Sequence, residues 1–167
     1  LEMPSDVAGE EIHGDLGYEP PPMLRCAADP EAVRRAAHAL LAAERPIIHA
    51  GQGVLYAEAT DELVRLAEFL QVPVMTTLPG KSAFPEHHPL SVGTGSRATT
   101  GGVHHFLQRA DVVLGLGCSF AISGFAVPIS AGKTLIHATN DPDDINKDHP
   151  CRYPLVGDAK LVLTQLL

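Results

Sequence analysis

Short unbroken apolar runs alternate with stretches in which apolar residues return every three or four positions. The runs Pro46–Ala50, Val72–Thr76, Val112–Leu116, Thr134–Ala138 and Pro154–Val156 read as strands. Strands apolar at successive positions are covered on both faces, as in a parallel sheet. Between the runs the period becomes helical. Asp29-Pro30 opens a helix with a capping carboxylate and a proline at the first position. Val33, Ala36, Ala37, Leu40 and Leu41 then form one face, and Arg45-Pro46 ends it. Leu63, Leu66, Ala67 and Leu70 stripe a second helix over about 57–70, and a short helix covers about 101–109. Asp158 caps a terminal helix that carries Leu161, Val162, Leu163, Leu166 and Leu167. Thr77 to about Thr100, rich in Gly, Pro and His, reads as a long loop. The pattern predicts an α/β fold: a Rossmann-like three-layer α/β/α domain with a five- or six-stranded, mostly parallel sheet.

Residues 1–28 break this rhythm. They hold six acids against one base, Arg25, so a net −5 of the chain's −8 lies in its first sixth. With Pro4 and Pro20-Pro21-Pro22 and no sustained period, 1–28 reads as an extended linker or arm, and 29–167 as the domain proper. The first residue is Leu1 rather than Met, which reads as a processed end or a cut within a longer protein.

Composition narrows the partners. An acidic chain with 5% aromatic residues and no Trp is a poor match for nucleic acid. Cys26, Cys118 and Cys151 are scattered, without a Cys-x-x-Cys pair, and suit a reducing cytoplasm. No apolar run is long enough for a membrane span, so no membrane partner is expected.

Ligands of doubly wound sheets bind beyond the carboxyl ends of the strands. Four segments occupy those ends: Gly51-Gln52-Gly53, Thr77-Leu78-Pro79-Gly80, Gly115-Leu116-Gly117 and Asn140-Asp141-Pro142-Asp143-Asp144. The first could bring backbone amides to a phosphate, although Tyr56 stands where a Gly-x-Gly-x-x-Gly fingerprint needs its third glycine. Asp141, Asp143 and Asp144 could grip ribose hydroxyls, or simply form a turn. Cys118, in a glycine-rich turn, is a candidate nucleophile without an identifiable base. The pairs His87-His88 and His104-His105 lack metal-ligand spacing.

The segment Arg45-Pro46-Ile47-Ile48-His49-Ala50-Gly51-Gln52-Gly53-Val54 resembles the opening of the central domain of thiamin-diphosphate-dependent enzymes of the acetolactate synthase type. The likeness continues in Val72–Lys81, Pro85–Leu90, Ala110–Gly117, Asn140–Lys147 and Val156-Gly157-Asp158, in the family's order and spacing. Leu1–Val7 resembles the exit from the preceding domain. The resemblance implies a three-domain parent that uses thiamin diphosphate and Mg²⁺ to decarboxylate a 2-keto acid and often ligate the product. Its partners would be the parent's other two domains, in a homo-oligomer. The activating Glu and the Gly-Asp-Gly metal motif belong to those other domains: Gly14-Asp15 runs into Leu16, and only nine residues follow Gly157-Asp158. The expectation is a scaffolding middle domain, inactive alone, that binds no thiamin diphosphate itself.

In some members the middle domain binds FAD, in others ADP or part of coenzyme A. FAD binders typically carry Gly-x-Arg-Phe-Asp, where this chain has Gly117-Cys118-Ser119-Phe120-Ala121. In place of a Met-His-Gly loop stands Gly93-Thr94-Gly95-Ser96-Arg97, which leaves Arg97 as a phosphate partner. The resemblance thus counts against FAD. A nucleotide site, were there one, would draw on Gly51, Gln52, Gly53, Thr77, Gly80, Arg97, Gly117, Asn140, Asp141 and Asp158. No metal ligand is expected.

Overall fold

Asp29 opens the first helix as its chemistry requires: its carboxylate accepts the Ala32 amide at 2.7 Å, and Pro30 takes the first helical position. The helix α1 (Pro30–Leu41) leads to strand β1 (Pro46–Ala50) in a computed structural model that describes residues 2–22 and 24–167. Two helices follow, α2 (Gln52–Tyr56) and α3 (Thr60–Leu70), where the apolar period predicts one. Strand β2 (Val74–Thr77) is then followed by a strand inside the expected loop, β3 (Ser91–Gly95). Helix α4 (Gly101–Arg109), strands β4 (Val112–Leu116), β5 (Thr134–Thr139) and β6 (Tyr153–Val156), and helix α5 (Ala159–Leu166) complete the chain.

The six strands form one sheet in the order β3-β2-β1-β4-β5-β6, every pair parallel. Chain direction across the sheet reverses between β1 and β4, so the crevice beyond their carboxyl ends is the switch point of a doubly wound fold. One face packs Ile48, Leu114, Ile136 and Leu155 against α1, α3 and α5. The other packs Ile47, Met75, Val113 and Leu135 against α4 and the connection after β4, where Phe120 and Val127 are buried. Burial on both faces is why these strands lack polar alternation.

Two carboxylates tie the elements together. Asp111 accepts the Glu44 and Arg45 amides at 2.8 and 3.0 Å, fastening the α1–β1 connection to the start of β4. Asp158 accepts the Lys160 and Leu161 amides as the cap of α5 and pairs with Arg25 at 3.8 Å. Ahead of Arg25 the chain is different. The described residues from Glu2 to Pro22 are all exposed, with a single 3-10 turn at Val7–Gly9.

Candidate functional site

The loops after β1 and β4 cross closer than any side chain would permit. A Cβ on Gly51 would lie 2.2 Å from the Gly117 carbonyl oxygen, and one on Gly53 would lie 2.7 Å from the Gly117 Cα. Gly117 itself has φ +58°, a backbone conformation that disfavours a side chain. Gly80 wedges beside them, where a Cβ would be 2.7 Å from the Gly51 carbonyl carbon. This close approach is secured by main-chain bonds. The Gly51 amide donates to Leu116 O at 2.7 Å, Gly53 to Gly117 O at 2.8 Å, and Gly117 to Ala138 O at 2.8 Å. Glycine amides that the sequence offers to a phosphate are therefore already engaged by neighbouring carbonyls.

Above these crossings, at the switch point, opens a cleft of about 500 Å³. Of the residues singled out from the sequence, Gln52, Gly53, Thr77, Gly117 and Asn140 line it. Thr77 already uses its hydroxyl to accept the Gly80 amide at 2.9 Å, while Gly51 and Gly80 lie beneath the surface as packing elements. Arg97 is exposed and outside the cleft. Asp141 is exposed and accepts the Asp143 amide at 3.0 Å, the turn alternative for that acidic run. Asp144, by contrast, faces the cleft beside Thr139. Asp158 stands apart as the α5 cap.

The sequence reading missed the histidines. His49 on β1 and His137 on β5 flank Gly115 of β4 on one rung of the sheet. Both stand in the middle of an Ile-His-Ala tripeptide, a repeated signal that an apolar-run reading absorbs as core. The Phe120 ring lies between them, its centroid 5.8 Å from that of His49 and 4.7 Å from that of His137. Phe120 adopts φ +51°, a strained conformation for a bulky residue. His137 Nε2 meets the Cys118 carbonyl oxygen at 2.6 Å. His49 lines the cleft, yet neither ring nitrogen has a partner, and burial lowers its pKa to about 4. It is a neutral imidazole at pH 7.

Cys118 also lines the cleft, but burial pushes its thiol up to about 12, and the nearby imidazole bonds its carbonyl instead of its sulfur. That is no environment for a thiolate nucleophile. Among the described residues no group of three His, Cys, Asp or Glu side chains is placed to hold a metal ion. Among the described residues, too, no helix is long and apolar enough to cross a membrane.

Comparison with known proteins agrees with this architecture. Residues 33–166 match the family model described as the thiamine pyrophosphate enzyme central domain. A chain named as the probable acetolactate synthase large subunit of Methanocaldococcus jannaschii is 37% identical over 179 aligned positions, covering 100% of this chain and 30% of that protein. The glyoxylate carboligase of Escherichia coli O157:H7 is 34% identical, again over 100% of this chain and 29% of its own length. Among solved structures, benzoylformate decarboxylase from Polynucleobacter necessarius superimposes with a TM-score of 0.71 at 25% identity, over 94% of this chain and 30% of that one. The chain thus spans about 30% of the length of the relatives it matches. With the family's order of segments, its six-stranded parallel sheet and a match over most of its length, this chain belongs to the thiamine pyrophosphate enzyme central-domain family.

Proposed function

We propose that this chain is the middle domain of an acetolactate-synthase-like enzyme, a thiamin-diphosphate-dependent 2-keto acid decarboxylase or carboligase. The observation that carries the reading is the alignment of the whole chain with about 30% of the acetolactate synthase and glyoxylate carboligase relatives. Thiamin diphosphate, held with Mg²⁺ by the parent's other domains, would supply the carbanion chemistry. This domain's part is structural. Its rigid sheet holds the flanking domains in register within a cytoplasmic homo-oligomer, and by itself it catalyses nothing. The exposed acidic segment before Arg25 then serves as the connector from the preceding domain.

The test is an assay of the parent protein, expressed from the coding sequence on both sides of this segment. With a 2-keto acid, thiamin diphosphate and Mg²⁺ it should release CO₂ or form a carboligation product. The isolated 167-residue chain should do neither under the same conditions. Absence of both reactions from the parent would overturn the reading, and turnover by the isolated chain would overturn its scaffolding role.

A further inference from the structure

The charge lining the cleft is an acid with no base beside it. Among the described residues Asp144 is its sole carboxylate, and no Lys or Arg lines it. The Thr139 hydroxyl donates to Asp144 Oδ2 at 3.4 Å and so fixes one oxygen. Burial first, and then the charge of Asp144, push the Cys118 thiol up, so the carboxylate acts on the floor of the cleft. Among the described residues the ion-pair partner of its Oδ1 is Lys147, at 3.8 Å. That ammonium belongs to an exposed side chain outside the cleft, and a pair of this kind is worth little.

These groups select the sign of a ligand. The glycine amides beneath are spent on Leu116, Gly117 and Ala138, so an anion would meet a carboxylate and no counter-charge. A cation meets the opposite. The walls are Tyr56, Phe120 and Phe125 with Leu78 and Val127, and aromatic faces attract positive charge while covering apolar surface. Because Thr139 occupies Oδ2, a single carboxylate oxygen is left to a ligand. That suits the point charge of an ammonium better than a guanidinium, which prefers two. A space of about 500 Å³ lies within the range of small-molecule sites.

We propose that this cleft binds an organic ammonium ion, its charged head on Asp144 and its apolar body against the aromatic walls. This goes beyond the scaffolding role and does not depend on it.

The experiment titrates the 167-residue chain with three compounds that share a phenylethyl body: 2-phenylethylamine, 2-phenylethanol and 3-phenylpropionate. Backbone amide NMR shifts give both the affinity and the place. The amine should bind about tenfold or more tighter than the alcohol, the carboxylate should not bind, and the shifts should fall on residues lining the cleft. Asp144→Asn should weaken the amine about tenfold, to the level of the alcohol, and leave the alcohol unchanged. Asp141→Asn, an exposed acid outside the cleft, should leave the amine as it was. Should Asp144→Asn fail to fold, Lys147→Met replaces it: loss of the competing ammonium should tighten the amine about threefold, and no gain would count against the site. Carboxylate binding as tight as the amine overturns the proposal. So do silence from the amine, equal losses in the two Asp variants, or shifts gathered on the acidic residues before Arg25. None of these outcomes bears on the activity assay of the parent.

Discussion

The Phe120 ring fills the space that a side chain on Gly115 would need: a Cβ there would lie 2.3 Å from Phe120 Cζ. Gly115 is thus the slot through which the connection after β4 reaches down between two histidine-bearing strands. The strained φ of Phe120 is offset by burial of its ring in that slot.

Gly115→Ala should therefore overpack the site and expel the ring. The expected loss is about 2–3 kcal/mol, a fall in Tm of roughly 5–10 °C for a chain of this size. Thermal unfolding followed by circular dichroism reads it directly. An unchanged Tm would mean that Phe120 can leave its slot without cost.

Gly51→Ala should be worse, since the 2.2 Å clash is with a backbone oxygen that main-chain bonds hold in place. A loss of about 3 kcal/mol or more is expected, or failure to fold. Gly124→Ala, where a Cβ meets nothing within 4 Å, is the control and should stay within about 0.5 kcal/mol of the parent chain. Urea titrations of both variants make the comparison.

Acidification should weaken the fold through His49. The unfolded chain takes up its proton near the ordinary imidazole value of 6.5, but the folded one only near 4. Between those values the unfolded state binds more protons, so stability falls as pH drops through the window and levels off below it. The contribution lost from pH 7.5 to 5 is about 2 kcal/mol. His137, also lowered by burial, acts in the same direction. Urea unfolding at the two pH values, repeated with His49→Gln, should show the pH dependence shrink in the variant.

Asp158→Ala removes the α5 cap and the Arg25 pairing together. It should cost about 1–2 kcal/mol, somewhat more than Asp29→Ala, which loses a cap alone at about 1 kcal/mol. Urea titrations of the two variants make the comparison.

Removal of residues 1–22 should leave the Tm within a degree or two, since the described residues of that segment are all exposed. Removal through Ala28 should not be silent. Ala28 is 2% exposed, and both its amide and its carbonyl bond the Gln165 side chain. Differential scanning calorimetry of the two truncations places the edge of the folded unit.

Five of the six strands are legible because burial on both faces leaves unbroken apolar runs, as in Val112–Leu116. The sixth is not. Ser91-Val92-Gly93-Thr94-Gly95 has one apolar side chain and two glycines, and it is a strand because β2 pairs with it and α4 packs on it. Tertiary context outweighs weak local propensity there. In the site, the glycine positions could be read from the sequence but the partners of their amides could not, since those are carbonyls on other strands and loops, more than sixty residues away for Gly51 and Gly53. Nor does spacing reveal which acid of Asp141, Asp143 and Asp144 turns inward. His49 and His137 were hidden for a different reason: a histidine inside an apolar run looks like core until its neighbours across the sheet are known.

The main-chain bonds linking Gly51, Gly53 and Gly117 to their neighbours have a consequence for how this domain can change. With the donor glycines kept, no side-chain substitution at the acceptors deletes these bonds, so the base of the cleft is common property of every sequence that keeps those glycines. Novelty is left to the exposed overhanging residues, Ile122–Phe125 and Asn140–Asp143, which can be exchanged without disturbing what they stand on. Relatives of this chain could diverge in what they hold, or cease to hold anything, while remaining superimposable beneath.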